Sequence, residues 1–254
     1  MRSTTCFCDA LLSADDAEAL VPIALAHFTD AHPELGLEEH HIRDYLEAED
    51  RVTGPAERLP EIGAVEIHET TPQRLDDVLA FFDHDAFVGN LGWAACYCMA
   101  HHVGGGGTPE WMARTAAENR AELIQRLGAG TTTGILAYVD GRLAAWCNAS
   151  PRSTFPEHVG RDDHHDDEIG SIVCFVIAPP YRRHGLAPRL LAEACRSFSR
   201  RGIRLAEAYP LKDPRDDATA YRGPLALYLE AGFEPVEENG RTVIVQRRLD
   251  GDTG

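Results

Sequence analysis

The chain has 254 residues, 44% hydrophobic and 26% charged, which is the balance of a globular protein with room for one large domain or two small ones. Lys and Arg number 24 against 41 Asp and Glu, a formal charge of -17 that repels nucleic acid over most of the surface and favours a cationic or amine-bearing partner. No basic segment followed by an apolar stretch opens the chain and no apolar run reaches membrane-spanning length, so a cytoplasmic protein with neither nucleic-acid nor membrane partner is expected.

The first segment holds Cys6 and Cys8 in extended sequence. "SADDAEALVPIALAHFTDAH" then sets Leu20, Val21, Ala24, Leu25 and Phe28 at helical spacing behind a Ser13 or Asp cap, and Pro22 predicts a kink or a late start. A second helix over "LEEHHIRDYLEAE" has Leu37, Ile42, Tyr45 and Leu46 as its apolar stripe. Residues 1–50 thus read as a small, mainly helical module. Gly54, Pro55, Pro60 and Gly63 make 51–63 a linker, and 64–254 the second domain.

From Ala64 the order is mixed α/β: strand "AVEIHE", helix "PQRLDDVLAFFDHDAF", a loop, helix "PEWMARTAAENRAELIQRLG", and strands "TGILAYVDG" and "RLAAWCNAS" joined by an Asp-Gly hairpin turn. The loop carries "GGGG" at 104–107, backbone freedom that suits a mobile segment. A polar stretch from Pro151 to about Glu168 leads to the apolar strand "SIVCFVIA", a helix from about Leu186 to Arg201, strand "IRLAEAY", helix "GPLALYLEAG" and a last strand pair around "FEPVEE" and "RTVIVQRRL".

The turn "APPYRRHGLAPRLL", 178–191, separates an apolar strand from an amphipathic helix and so aims backbone N–H groups and the positive end of a helix dipole at one point. Arg182 and Arg183 add charge, Gly185 permits close approach, and a pyrophosphate fits all of these features. A plain strand-to-helix connection with solvated arginines fits the loop taken alone.

Two further groups carry ligand chemistry. The seven cysteines, an odd count in a chain too long to need disulfide staples, read as reduced thiols or metal ligands. "WAACYCMAHHV" gathers Cys96, Cys98, His101 and His102, crowded for a metal, with Trp93, Tyr97 and Trp111 as apolar walls of a binding pocket or as core. Cys6, Cys8, His27 and His32 are better spaced, thiolates from the extended segment and imidazoles from the end of a helix, and predict one structural zinc. Over about residues 4–46 this segment resembles small predicted metal-binding proteins with two Cys and two His.

The R-x-x-G-x-A pattern of Arg182 to Ala187 and the Y-x-x-x-G-F segment within "LALYLEAGF" resemble the GNAT N-acetyltransferase superfamily over about Val65 to Leu249. That resemblance implies an α/β fold with a mixed central sheet flanked by helices. It also implies an acetyl-CoA-dependent N-acetyltransferase; the acidic surface and the room left by the Gly-rich loop point to a small, cationic amine as acceptor, with homodimerisation left open. The backbone of Phe175 and Ile177 would pair with the pantetheine arm, and Arg182, Arg183, His184, Gly185, Leu186 and Ala187 would line the pyrophosphate loop. Tyr228 would protonate the leaving thiolate. Two positions depart from the family pattern: Tyr221 replaces an Asn that contacts pantetheine, and Ser171 replaces a Glu base. Glu207, a charge in an apolar strand, is the alternative base, ahead of Asp167 and Glu168. A non-catalytic acyl-CoA sensor and a protein lysine acetyltransferase remain as other functions.

Overall fold

The structure, a computed structural model, describes residues 1–162, 164–216 and 219–249. The chain opens with a hairpin of β1 (Arg2–Thr5) and β2 (Leu11–Ala14), followed by α1 (Ala17–Ala31) and α2 (Glu39–Arg51). The hairpin is an addition to the helical reading. Asp16 caps α1, its side chain accepting from the Ala19 N–H at 2.9 Å, and the helix continues through Pro22. Leu20, Val21 and Ala24 pack on Ile42 and Leu46 as a small core of their own.

So few buried side chains give a segment of this length little independent stability. It is held by its neighbours instead. Ala48 of α2 joins the core of the larger part, Arg51 donates to the Asp83 backbone carbonyl at 3.1 Å, and His40 Nε2 lies 3.0 Å from the Met112 carbonyl.

The larger part contains, in order, β3 (Val65–Glu69), α3 (Leu75–Ala80), α4 (Pro109–Met112), α5 (Ala116–Ala129), β4 (Gly134–Val139), β5 (Arg142–Pro151), β6 (Ile169–Ile177), α6 (Leu186–Arg200), β7 (Leu205–Ala208), α7 (Leu225–Glu230), β8 (Glu234–Asn239) and β9 (Thr242–Arg248). The single helix expected over 109–128 is broken, because Thr115 and Glu118 form a capping box that starts α5 afresh. Asp44 of α2 accepts from Ala116 N at 2.7 Å, placing a carboxylate at the N-terminus of α5.

The strands form one sheet in the order β3-β4-β5-β6-β7-β9-β8, with β6 and β7 parallel and the other neighbours antiparallel. Strand β4 is buried throughout and alternates between two cores: Ile135, Ala137 and Val139 join the cluster holding α6 and α7, and Leu136 and Tyr138 join that of α3 and α5. The sheet is therefore a filled layer between helices.

One irregularity creates the site. Strands β6 and β7 pair only from Ile169↔Leu205 to Ile172↔Ala208, whereas β6 stays on β5 as far as Ile177. A register shift between Asn148 and Ala149 bends the β5–β6 pair at the same level. From Val173 onward the second edge of β6 has no strand on it among the described residues.

Gly170 of β6 faces Phe198 of α6, and an added Cβ would stand 2.4 Å from that ring. Phe198 is fully buried and has no room to withdraw. Gly170→Ala is expected to lower the unfolding free energy by about 1–3 kcal/mol, measured as a lower urea midpoint at unchanged slope.

Candidate active site

After β6 the chain makes one 3-10 turn, Pro179–Tyr181, and then enters α6. Arg183 (φ 63°) and Gly185 (φ 72°) both take the left-handed conformation, and Gly185 is the residue from which α6 starts. A Cβ there would meet nothing within 4 Å, so the backbone angle and not crowding calls for glycine. The first-turn N–H groups of Leu186 and Ala187 have no acceptor within the helix, and the positive end of its dipole lies with them. Arg182 Nε donates to the Ile177 carbonyl at 3.0 Å, and His184 Nε2 lies 2.9 Å from the Leu59 carbonyl. These contacts fasten the turn to β6 and to the segment between α2 and β3.

The turn forms one end of a cavity of about 790 Å³. The cavity follows the open edge of β6 past Ile177, Val176, Phe175 and Cys174 and ends among Trp93, His101 and Trp111. Leu35, Leu37, His41, Ile42, Asp44 and Tyr45 of the N-terminal segment wall one side. The sequence-derived loop residues Arg182, Arg183, Gly185, Leu186 and Ala187 all line it with Phe175 and Ile177, and His184 turns to Leu59 instead. Tyr97, expected as a pocket wall or core, is core: it is buried, and its hydroxyl donates to Asp83 at 2.7 Å.

Tyr228 is fully buried, and its hydroxyl donates to the Arg222 carbonyl at 2.6 Å. Burial pushes the phenol well above its usual range, so it stays protonated. Gly223 lines the cavity beside it, where a Cβ would come 3.2 Å from the Tyr228 hydroxyl, so the absent side chain keeps the phenol next to the cavity wall. Tyr221 itself lines the cavity and accepts from Arg222 Nε at 2.9 Å.

Glu207 corrects the expectation of a free base on β7. It is fully buried and lies outside the cavity lining. Oε1 accepts from the Tyr209 hydroxyl at 2.6 Å and stands 3.7 Å from Arg152 Nη1. Oε2 accepts from Arg161 Nη2 at 2.7 Å and Gln246 Nε2 at 2.6 Å. Ser171 Oγ, across from it in register, is 2.8 Å from the same Tyr209 hydroxyl. With every direction from its carboxylate in use, Glu207 acts as a clamp. Asp167 and Glu168 sit on an exposed turn and do not line the cavity.

Among the described residues, two groups of three or more side chains could hold a metal. One is the sequence-derived set: Cys6 and Cys8 from the tip of the β1–β2 hairpin, His27 from α1 and His32 from its end. Cys6 Sγ is 3.3 Å from His32 Nε2, Cys8 Sγ is 3.4 Å from His27 Nε2, and all four ligand atoms lie within 4.8 Å of one another. The Ala10 backbone N–H, with His32 next, draws the Cys8 thiol down to about 6. The other group, His101, Glu157 and His158, stands at the aromatic end of the cavity. Its histidine neighbour is in other use: His102 Nδ1 is 3.1 Å from the Thr154 carbonyl, its Nε2 is 3.2 Å from Asn148 Nδ2, and burial lowers it to about 4. Cys96, Cys98 and His102 do not converge as ligands. Glu157 and His158 were missed in the sequence because "PEHV" sits in a polar loop far from His101.

A family profile described as the acetyltransferase (GNAT) family matches residues 106–233. Among curated proteins there is no match. Three solved structures are similar in fold: an acetyltransferase of the GNAT family from Streptococcus pneumoniae (18% identity, TM-score 0.43, 73% of this chain and 99% of that one); the PaiA N-acetyltransferase of Thermoplasma acidophilum, in complex with coenzyme A (14%, 0.46, 73% and 99%); and a ribosomal-protein-alanine N-acetyltransferase from Brucella melitensis (14%, 0.43, 72% and 99%). No helix among the described residues is long and apolar enough to cross a membrane.

Removing the Glu207 charge would leave Arg152, itself fully buried, with less compensation. Glu207→Gln is expected to cost about 3 kcal/mol of stability in denaturant unfolding. Its effect on pH-rate behaviour should be no greater than that of Gln246→Ala, which touches the same clamp.

Proposed function

The chain belongs to the acetyltransferase (GNAT) family, and from that footing we propose that it moves an acetyl group from acetyl-CoA to the amine of a small, cationic acceptor. The observation that carries the reading is the continuous cavity from the α6 N-terminus along the open edge of β6. An anionic pyrophosphate suits the N–H groups and arginines of residues 182–187, and an extended amide-bearing arm suits a strand edge on which no strand pairs among the described residues beside Phe175 and Ile177. The thioester then comes to rest near Cys174. The acceptor enters from Trp93, His101 and Trp111, where Asp44 is the lining carboxylate.

Because Leu35, Leu37, His41, Ile42, Asp44 and Tyr45 wall one side of the cavity, a small molecule fits better than a lysine on a folded protein. The acceptor reacts as the free amine after losing a proton to solvent. Its nitrogen bonds the thioester carbon, the oxyanion takes a backbone N–H of β6, and collapse of the adduct breaks the C–S bond. The departing sulfur takes a proton from Tyr228, whose hydroxyl otherwise donates to the Arg222 carbonyl, and the proton shed by the acylated nitrogen restores the phenol. The acyl-CoA sensor is a second reading, favoured by one observation: neither Ser171 nor Glu207 offers a free base. Acceptor turnover separates the two. Gly185→Glu is expected to abolish acetyl-CoA binding in calorimetry by setting bulk and negative charge into the open space at the α6 N-terminus. Tyr228→Phe should cut turnover about 100-fold at unchanged cofactor affinity. Full affinity in a folded Gly185→Glu protein would remove the cofactor assignment.

The N-terminal segment, residues 1–50, is proposed as a small module docked on the larger part and stapled by zinc on Cys6, Cys8, His27 and His32. The donor set and spacings support it: two thiols and two imidazoles close a tetrahedron, leaving no position for substrate, so the ion supplies stability and not chemistry. The single residue between the cysteines is accommodated because the hairpin tip turns there, Asp9 N bonding the Cys6 carbonyl at 2.8 Å. Metal analysis of untagged protein should find about one tightly held zinc per chain with thiolate ligands. Cys8→Ser should lose that ion and lower the thermal midpoint while cofactor binding persists.

A further inference from the structure

The acceptor end of the cavity carries side chains that acetyl transfer, as read above, does not use. His101 stands on the turn Ala100–Val103 and lines the cavity. Glu157 and His158 come from the loop that leaves β5. His101 Nδ1 bonds Glu157 Oε1, His158 Nε2 is 3.4 Å from the same oxygen, and the three ligand atoms lie within 4.8 Å of one another. We infer that His101, Glu157 and His158 form a site for one divalent transition cation, with zinc as the ion that this donor set fits.

Three observations support the site. First, His158 is 8% exposed, and its Nε2 is a buried nitrogen with no hydrogen-bond partner. A buried polar atom left alone is costly, and a cation bridging it to Glu157 would satisfy it. Second, the ligands are held in place from behind. The His158 ring stacks on Tyr209 with centroids 3.7 Å apart and planes 10° apart, so it cannot swing away. Glu157 lies so close to Gly105 (φ 101°) that an added Cβ would meet its Oε2 at 2.5 Å. Gly105 is thus a close backbone cover over this carboxylate, and a side chain at that position would displace it. Third, two imidazoles and one carboxylate are the three-ligand set of zinc sites that keep a position open, and one of the three, His101, lines the cavity.

The carboxylate balances half of the ion's charge, and loading displaces the proton that otherwise joins His101 Nδ1 to Glu157. The open position takes water or a second donor atom of the acceptor, so amines that also carry a hydroxyl or carboxylate are the class it selects. The metal site rests on side-chain geometry alone, whereas the acceptor class it would select rests on the acetyl-transfer reading.

Cobalt(II) titration of the full chain, followed by visible and near-ultraviolet absorption, tests it. Cobalt on the N-terminal thiolates gives sulfur-to-metal charge transfer, and cobalt on two imidazoles and a carboxylate gives only ligand-field bands. Two spectroscopically distinct populations are expected. His158→Ala, and independently the near-isosteric Glu157→Gln, should remove the population without charge transfer and spare the other, and Cys8→Ser should do the reverse. The inference is overturned if the unmodified chain shows only the thiolate population, if it takes up no cobalt, or if the second population survives both Glu157→Gln and His158→Ala.

Discussion

The parting of β6 from β7 after Ile172 and Ala208 is the constraint on which the site depends. Two parallel strands do not separate unless something holds them firmly below the point of parting and something bends one of them above it. The register shift at Asn148 and Ala149 supplies the bend. The clamp is the polar network at the last paired residues, where Glu207 of β7 takes Arg152 and Arg161 from the loop after β5, Gln246 from β9 and Tyr209, with Ser171 of β6 joined through Tyr209. Arg152 reaches further to Asp162 at 2.8 Å and Asp166 at 2.5 Å. A buried charge network tends to hold one geometry when its members are paired, because partial arrangements leave ions uncompensated in low dielectric. The strands are thereby closed on one side of Ile172 and open on the other.

That reading also explains which parts of the site were legible in the sequence. The turn at 182–187 shows itself because its requirements are local: an apolar strand, an abrupt stop, Gly185 at a left-handed angle and an amphipathic helix. The Asp140-Gly141 hairpin is local too, with φ of 50° and 80° as a two-residue turn requires. Glu207 shows in sequence only as a charge in an apolar strand, which fits a catalytic base and a clamp equally well. Its partners arrive from a loop and from another strand, so only the fold could decide. Glu157 and His158 were illegible for the same reason, since nothing in "PEHV" points to His101.

The N-terminal segment shows a different limit. Four-residue strands whose sequences, RSTT in β1 and LLSA in β2, do not alternate apolar with polar residues give no strand period to read. The break between α4 and α5 was readable in principle, because Thr115 and Glu118 have capping-box spacing, but the apolar pattern ran on across it. The segment between α2 and β3 has the glycines and prolines of a linker. Even so, Leu59 N bonds the Pro180 carbonyl at 3.0 Å and Gly54 N bonds the His84 carbonyl at 3.0 Å, so it is tied down along its length. A stretch that composition marks as a connector also braces the turn that opens α6.

The charges that line the cavity are unevenly placed, and this matters more than the overall value of -17. Arg182, Arg183 and the α6 N-terminus make one end positive, and Asp44 sets a carboxylate in the wall that the N-terminal segment contributes. On the proposed reading, an anionic cofactor is favoured at the α6 end and a cationic acceptor beside Asp44, and the two meet beside Cys174. Interactions between charges weaken beyond about 8–10 Å at physiological ionic strength, so the general acidity of the surface acts mainly on encounter. Orientation inside the cavity falls to these few fixed groups, which is why the N-terminal segment that contributes Asp44 belongs to the site as much as the strand does.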